Sequence, residues 1–363
     1  MFAQKQLFVL NRSGHSVVSV PLTEKNTGAK EEISQGLTDT YDLIKDSDND
    51  ALYWSEGYNH RIQQWKPGAN ERSSGQAMPS YQTKLPVDLE IDDLHHQMYW
   101  VDNAEKRICR AGLDGSRQEI VFTDSLSNPS SLTLFPALNL LFYADLDRHQ
   151  IWSSALNGEK RKVLVNTDAE FPVRLLIDRL HGKLYWANDG EHLIERINLD
   201  GSDRQVFYQG LEEEHPFGLL LDSESGKLYW TDYGTDRVMC KDVNGKTEVE
   251  LVASDLADPV ALVLMDRSEA VVHSQEGQKT EDQKPGVTLF PNPANKELTF
   301  QSLNSEQSIE WIRIYDRIGN EVFFGRAGDN VFHVDIFFYA DGYYTYNAQI
   351  AGQILSGHFS IIH

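Results

Sequence analysis

An aromatic strand recurs through the first two thirds of the chain at a nearly constant interval. Its first aromatic residue stands at positions 53, 99, 142, 185 and 229, so successive copies are 43 to 46 residues apart. From the second copy onward, a proline precedes this residue by 13 positions, and the glycine of an Asp-Gly or Asn-Gly pair follows it by 16. These residues are Pro86, Pro129, Pro172 and Pro216, and Gly115, Gly158, Gly201 and Gly245. Three signals in fixed phase indicate a structural repeat.

Each copy predicts four antiparallel strands. The first begins just after the proline and the aromatic strand is the second. Asp-Gly or Asn-Gly then joins the third strand to the fourth, because a type I′ turn needs two residues with positive φ. In the copy around Tyr99, the third and fourth strands are expected at 107–113 and 117–122. A four-stranded sheet that repeats every 40 to 45 residues, roughly, is a propeller blade, since a lone sheet cannot bury both faces. The aromatic pairs are expected to fill the space between blades.

The number of blades follows from the two ends of the repeat region. Leu7-Phe8-Val9-Leu10-Asn11 supplies one more aromatic strand, but no first strand precedes it. Pro259-Val260-Ala261 repeats the first-strand signature, so the C-terminal end of the repeat region is predicted to close the ring against the N-terminal strands. Six aromatic strands then give six blades. A seven-bladed ring, with residues 271–273 as a seventh copy, is the alternative.

The aromatic strands resemble a known repeat. Tyr229-Trp230-Thr231-Asp232 carries the full YWTD motif, and the other copies depart from it at the third or fourth position. The segment from about residue 5 to residue 268 is similar to the YWTD repeats of the low-density-lipoprotein-receptor family, which implies an all-β, six-bladed β-propeller. Asp102, Asp145 and Asp232, at the end of their aromatic strands, are expected to accept backbone N–H bonds and fix the following turn rather than to bind calcium.

The two cysteines are predicted not to pair. Cys109 falls in the third blade and Cys240 in the sixth, on opposite sides of a six-membered ring. A disulfide requires Cα atoms within about 7 Å of each other.

Charge and hydropathy limit the classes of partner. The 363 residues include 33 basic and 55 acidic ones, and the net charge of -22 repels nucleic acid and anionic membrane surfaces. No apolar run reaches the length of about 18 residues that spans a bilayer. We therefore expect no nucleic-acid partner and no membrane span. We also expect a monomer without a cofactor. Residues 1–4 carry no export signal, so a signal peptide is expected to have been removed or to lie outside this sequence.

After Met265 the repeat ends and the composition changes twice. Residues 275–285 are polar and charged, which predicts a flexible linker between a propeller at 1–274 and a second domain at 286–363. Seven short alternating strands in the second domain predict a small Ig-like β-sandwich. The strands are expected at 287–290, 298–301, 309–316, 321–324, 331–336, 343–350 and 357–362.

The second domain contains motifs that closely resemble the type A C-terminal sorting domain of the type IX secretion system. The residues that carry this sorting motif are Pro291, Asn292, Pro293, Gly319, Gly342 and Tyr343. The resemblance implies a Gram-negative bacterial protein that the type IX machinery exports. It also implies that a sortase cuts the linker and can attach the protein to the outer-membrane surface. An ordinary Ig-like adhesion module is the alternative interpretation of this domain.

The expected binding surface of the propeller is one of its loop faces. Loops between the second and third strands, and between the fourth strand and the next first strand, share one face around the channel. Related YWTD propellers bind protein ligands there, and Tyr and Arg are enriched at binding hot spots. The candidate residues are Tyr58, His60, Arg148, His149, Glu191, His192, Glu214, His215, Tyr233 and Asp236.

These features favour a secreted or cell-surface protein that recognises a protein, peptide or glycan ligand. The alternative is an extracellular hydrolase of the lactonase or strictosidine-synthase type, with a metal held by three or four side chains in the channel. A structural component of the cell surface is a third possibility. No catalytic motif is present, and His95-His96 is expected to lie in a turn rather than bind a metal.

Overall fold

The protein is described here by a computed structural model whose residues group into two units. Contacts place Met1–Asp178 and Lys183–Ala270 in the first unit, and Arg179–Gly182 and Val271–His363 in the second. The structure describes residues 4–22, 30–35, 37, 39–46, 51–65, 76–77, 82–124, 126–166, 171–245, 247–267, 287–290, 297–302, 307–315, 321–326, 330–335, 342–351 and 353–361.

The first unit contains six four-stranded antiparallel sheets in its described residues. Sheet 1 consists of β24 (Pro259–Arg267), β1 (Gln4–Asn11), β2 (Ser16–Pro21) and β3 (Glu31–Gln35). Sheet 2 consists of β4 (Thr40–Asp46), β5 (Ala51–Glu56), β6 (Arg61–Trp65) and β7 (Gln76–Ala77). Sheet 3 consists of β8 (Pro86–Asp92), β9 (Gln97–Asp102), β10 (Arg107–Gly112) and β11 (Glu119–Phe122).

Sheets 4 to 6 repeat the same order. Sheet 4 consists of β12 (Pro129–Phe135), β13 (Leu140–Asp145), β14 (Gln150–Ser154) and β15 (Lys162–Asn166). Sheet 5 consists of β16 (Pro172–Asp178), β17 (Lys183–Asn188), β18 (Leu193–Asn198) and β19 (Gln205–Gln209). Sheet 6 consists of β20 (Pro216–Asp222), β21 (Lys227–Asp232), β22 (Arg237–Asp242) and β23 (Glu250–Ala253). A short 3₁₀ turn, Pro136–Leu138, joins β12 to β13.

The aromatic pairs lie between sheets, as predicted. Neighbouring residues of a strand point to opposite faces, so Tyr99 packs into the cluster shared with sheet 4 and Trp100 into the cluster shared with sheet 2. Trp54, Trp100, Trp186 and Trp230 are all buried. The core of this unit therefore consists of layers between sheets.

Six hydrophobic clusters in the described residues each join one sheet to the next, and the last of them joins sheet 6 to sheet 1. Sheet 1 is itself assembled from both ends of the repeat region, because β1 pairs with β24 from Gln4↔Arg267 to Asn11↔Pro259. The sheets thus contact one another in a closed cycle. Residues 271–273 lie outside the described residues.

The second unit has two antiparallel sheets in its described residues. The first contains β25 (Val287–Phe290), β26 (Glu297–Ser302) and β29 (Val331–Asp335). The second contains β27 (Ile309–Tyr315), β28 (Glu321–Arg326), β30 (Gly342–Ile350) and β31 (Gln353–Ile361). Phe300 and Val334 of the first sheet share one buried cluster with Ile312 and Phe359 of the second, so the two sheets pack together. All seven predicted strands occur.

Several predictions fall on positions that the structure leaves out. Pro291, Asn292, Pro293, Gly319 and the whole of 275–285 lie outside the described residues, whereas Gly342 and Tyr343 begin β30. In the described part of the chain, no helix is both long and apolar enough to cross a membrane.

Cys109 and Cys240 are buried free thiols on β10 and β22, in agreement with the prediction that they do not pair. Burial raises the pKa of Cys109 to about 12 and that of Cys240 to about 11. Both thiols are therefore protonated at neutral pH and inert as nucleophiles.

Candidate ligand-binding face

Two sets of loops contact each other on one side of the six sheets. In every sheet, the first residue of the turn between the second and third strands donates its backbone N–H to the carbonyl of the residue just before the first strand. The six bonds are Arg12 to Asp258, Gly57 to Asp39, Asn103 to Leu85, Leu146 to Asn128, Asp189 to Phe171 and Tyr233 to His215, at 2.8 to 3.2 Å. We call this surface the loop face.

Carboxylates at the end of the aromatic strands hold these loops. Asp102 accepts the backbone N–H groups of Lys84 and Leu85, both at 3.0 Å. Asp232 accepts those of His215 at 2.9 Å and Thr235 at 3.0 Å. The prediction that these aspartates bind backbone N–H groups is confirmed, and their main target is the loop that enters the same sheet. That target is 17 or 18 residues earlier, so sequence proximity did not reveal it.

The last residue of each turn adopts a left-handed conformation. These residues are His15, His60, Lys106, His149, His192 and Asp236, with φ between 49° and 56°. Asp and His tolerate this conformation better than most non-glycine residues do. Imidazole side chains consequently recur on the loop face at the same position of the repeat.

Side chains of sheets 5 and 6 converge around Asp189. Its Oδ1 accepts the Tyr233 hydroxyl at 2.7 Å and is 2.8 Å from Nδ1 of His215. The His215 and Tyr233 rings are stacked, with centroids 5.0 Å apart. The His192 ring meets the His215 ring edge to face, with centroids 4.7 Å apart. Burial, followed by the bond to Asp189, raises the pKa of Tyr233, so its hydroxyl remains a donor.

The Glu214 carboxylate bonds to its own loop and to the strand before it. Its Oε2 accepts the Tyr208 hydroxyl at 2.6 Å and the Leu211 backbone N–H at 2.8 Å. Burial, together with this carboxylate, raises the pKa of Tyr208. Glu214 therefore shapes the loop that presents His215.

The remaining candidate residues are spread along the loop face. Tyr58 is 80% exposed, and Nδ1 of His60 binds the Lys84 carbonyl. The His149 ring contacts Phe171, while Arg148 lies 3.6 Å from Asp145. Glu191 is exposed, and Asp236 accepts the backbone N–H of Asp258 at 2.8 Å.

The structure thus gathers His192, His215 and Tyr233 together with Asp189 and leaves Tyr58 and His60 two sheets or more away. The sequence analysis did not single out Asp189. Its position in the repeat, as the first residue of the turn between the second and third strands, could have indicated it.

A second charged cluster joins the first strands of four sheets. Asp42, Asp88, Ser131 and Arg174 are the third residues of β4, β8, β12 and β16, and all four are buried. The Arg174 guanidinium binds both Asp42 and Asp88, which belong to sheets 2 and 3. The guanidinium therefore neutralises two buried carboxylates of neighbouring sheets. Among the described residues, no three His, Cys, Asp or Glu side chains are grouped so as to hold a metal ion.

Both parts of the chain match known families. Residues 96–136 and 226–264 match the low-density lipoprotein receptor repeat class B, and residues 288–361 match the secretion system C-terminal sorting domain. The two resemblances expected from the sequence are confirmed.

Curated relatives match part of the repeat region. The low-density lipoprotein receptor-related protein 5 of Mus musculus is 37% identical over 109 residues, which are 30% of this chain and 7% of the relative. A low-density lipoprotein receptor-related protein 5-like protein of Homo sapiens is 31% identical over 135 residues, which are 37% of this chain and 54% of the relative. The chain thus spans 7% to 54% of the length of these two relatives.

Solved structures share the propeller fold. A chain from the crystal structure of a nidogen/laminin complex has a TM-score of 0.63 and 21% identity, covering 72% of this chain and 98% of that one. The structure of a protein of Agrobacterium tumefaciens, titled "putative TolB", has a TM-score of 0.55 and 12% identity, covering 72% of this chain and 97% of that one. These identities support a shared fold alone.

Proposed function

We propose that this chain, which carries low-density-lipoprotein-receptor class B repeats and ends in a type IX C-terminal sorting domain, is an exported recognition protein. A six-bladed propeller at 1–274 binds a protein, peptide or glycan through its loop face. An Ig-like β-sandwich at 286–363, joined by a linker at 275–285, directs export through the type IX machinery. The six sheets in cyclic contact support six blades, and the two packed sheets of the second unit support the sandwich.

The distribution of exposed aromatic side chains carries the binding proposal. In the described part of the chain, the exposed large hydrophobic residues include two aromatic ones, Tyr58 at 80% and Phe171 at 44% exposure. Both belong to the loop face. Exposed apolar residues elsewhere in the six sheets include the aliphatic Ile120, Val163, Val206 and Leu251 of the outer strands. Aromatic residues dominate binding hot spots, whereas scattered aliphatic residues need no explanation.

The propeller that the nidogen/laminin complex contains supports a protein ligand, because its fold is similar. The acidic composition supports a ligand with basic groups, since opposite charges accelerate encounter.

Array binding with face-specific variants tests recognition. The full chain is probed on peptide and glycan arrays, alongside Tyr58→Ala and Phe171→Ala, with Ile120→Ala and Val206→Ala as exposed controls on the outer strands. We expect selected ligands to lose at least tenfold in affinity with the loop-face variants and to be unaffected by the controls. Equal binding by all four variants would refute the loop face as the binding surface.

Deletion of 286–363 in the native host tests the export proposal separately. The propeller is expected to accumulate in the periplasm, whereas the full chain reaches the cell surface or the medium. Unchanged export of the truncated protein would show that this domain is not the sorting signal.

A further inference from the structure

The His192 and His215 side chains are held by the protein through the same ring nitrogen. Nδ1 of His192 is 2.8 Å from the Glu214 carbonyl oxygen, and Nδ1 of His215 is 2.8 Å from Oδ1 of Asp189. A carbonyl and a carboxylate can only accept hydrogen bonds, so each Nδ1 carries the hydrogen. In both neutral rings, Nε2 is then the nitrogen with a free lone pair.

This arrangement is the one found around metal-ligating histidines. Such residues almost always donate the second ring N–H to a carboxylate or a backbone carbonyl, which fixes the ring and raises the basicity of the ligating nitrogen. The spacing also fits, since two imidazoles bound to one tetrahedral ion at about 2.1 Å have ring centres about 5 Å apart. The centroids of His192 and His215 are 4.7 Å apart, with an interplanar angle of 75°. Both rings are partly exposed.

Comparison among the six sheets shows that this pair is local to sheets 5 and 6. His60 occupies the position of His192 in sheet 2 and binds the equivalent carbonyl, that of Lys84. Leu85, just before the first strand of sheet 3, occupies the position of His215. Gly57, at the start of the turn in sheet 2, occupies the position of Asp189. His149 meets Phe171 at the corresponding junction. The positions equivalent to Asp189, His192 and His215 are described in all six sheets, and at these positions two imidazoles and a supporting carboxylate coincide once.

We propose that Nε2 of His192 and Nε2 of His215 bind one divalent transition-metal ion on the loop face. Imidazole nitrogen suits Zn²⁺, Ni²⁺ and Cu²⁺, whereas Ca²⁺ and Mg²⁺ require oxygen ligands. Asp189 and the Glu214 carbonyl act as positioning groups, and water fills the remaining coordination positions. The absence of a third protein ligand among the described residues leaves the ion open to a group from outside.

Calorimetric titration of the metal-free full chain with Zn²⁺ at pH 7.5 tests the site. The sequence repeat itself supplies matched variants. His215→Leu introduces the residue type that sheet 3 has at the equivalent position, Leu85, and His192→Asn keeps a residue that tolerates positive φ. His60→Asn makes the same change at the equivalent turn of sheet 2 and serves as the control. We expect one equivalent of Zn²⁺ to bind, at least tenfold weaker binding in His215→Leu and His192→Asn, and unchanged binding in His60→Asn.

Two further measurements separate ligation from a structural effect. Asp189→Asn keeps both rings but weakens the hydrogen bond that supports His215. We expect this variant to lose Zn²⁺ affinity by roughly 10- to 100-fold. The electron paramagnetic resonance spectrum of bound Cu²⁺ should show coupling to two imidazole nitrogens, falling to one in each histidine variant. Failure of the wild-type chain to bind one equivalent, or full binding by both histidine variants that remain folded by circular dichroism, would overturn the proposal.

Discussion

At the scale of single residues, Arg174 shows how a buried charge is accommodated in this fold. Its guanidinium binds Asp42 and Asp88, whose remaining oxygens accept the backbone N–H groups of Leu89 at 2.8 Å and Leu132 at 2.6 Å. The two bonds to backbone N–H groups each link a first strand to the first strand of the next sheet, whereas the guanidinium joins sheet 5 to sheets 2 and 3. The cluster was not predicted, because the third position of the first strand holds a different residue type in almost every sheet and leaves no repeated signal.

Arg174→Met should destabilise the propeller strongly. The change leaves two buried carboxylates without their cation, and removal of one partner of a buried ion pair costs about 3–5 kcal/mol. Chemical denaturation measures this free energy of unfolding. Lys183→Met is the control, since Lys183 pairs with the exposed Asp203 and a surface pair contributes about 0–1 kcal/mol. A loss below about 1 kcal/mol for Arg174→Met would contradict the role of the cluster.

At the scale of strands and turns, periodicity predicted most boundaries to within two residues. The third strand expected at 107–113 is Arg107–Gly112, and the fourth expected at 117–122 is Glu119–Phe122. The fourth strand starts later because the Gly112 N–H bonds the Ser116 carbonyl and Arg117 has a φ of 52°, which extends the turn. Local turn geometry of this kind depends on hydrogen bonds that the repeat pattern does not encode.

The hairpin of β5 and β6 depends on one carboxylate, Glu56. It accepts bonds from Trp54, Asn59, Arg61 and Gln63 at 2.7 to 3.2 Å. Burial alone would raise the pKa of this carboxyl group, but the four hydrogen bonds outweigh burial and hold the pKa below its ordinary value of 4.5. The charged form is therefore stabilised in the folded hairpin.

Glu56→Gln should destabilise the protein by about 1–3 kcal/mol at pH 7, because hydrogen bonds to a charged group are lost. A carboxyl group with a lowered folded pKa stabilises the fold above its unfolded pKa, and this contribution disappears as the pH falls through the folded value. The difference between wild type and variant is thus expected to shrink below about pH 4.5. Denaturation curves between pH 7 and pH 3 measure it, and a difference that stays constant with pH would contradict the assignment.

At the scale of the whole molecule, the sequence predicted how the ends of the repeat region pair, but it did not predict which side chains group together on the loop face. The pairing of β1 with β24 was expected from the missing first strand at the N-terminus, and it is observed from Gln4 to Asn11. The grouping of Asp189, His192, His215 and Tyr233 was not expected, because these residues come from three separate loops. The position of a loop within the repeat predicts the face on which it lies. Contacts between side chains of different loops depend on the three-dimensional structure and are not encoded in the repeat.

The closed cycle of six sheets underlies both binding proposals, since it places the loops on one face. Native-state hydrogen exchange of residues 4–11 tests it most directly, because a terminal strand ordinarily frays and exchanges fast. We predict that amides of β1 exchange as slowly as those of β9 and β17, through global unfolding. Exchange of residues 4–11 at the rate of an unprotected chain would contradict closure of the ring.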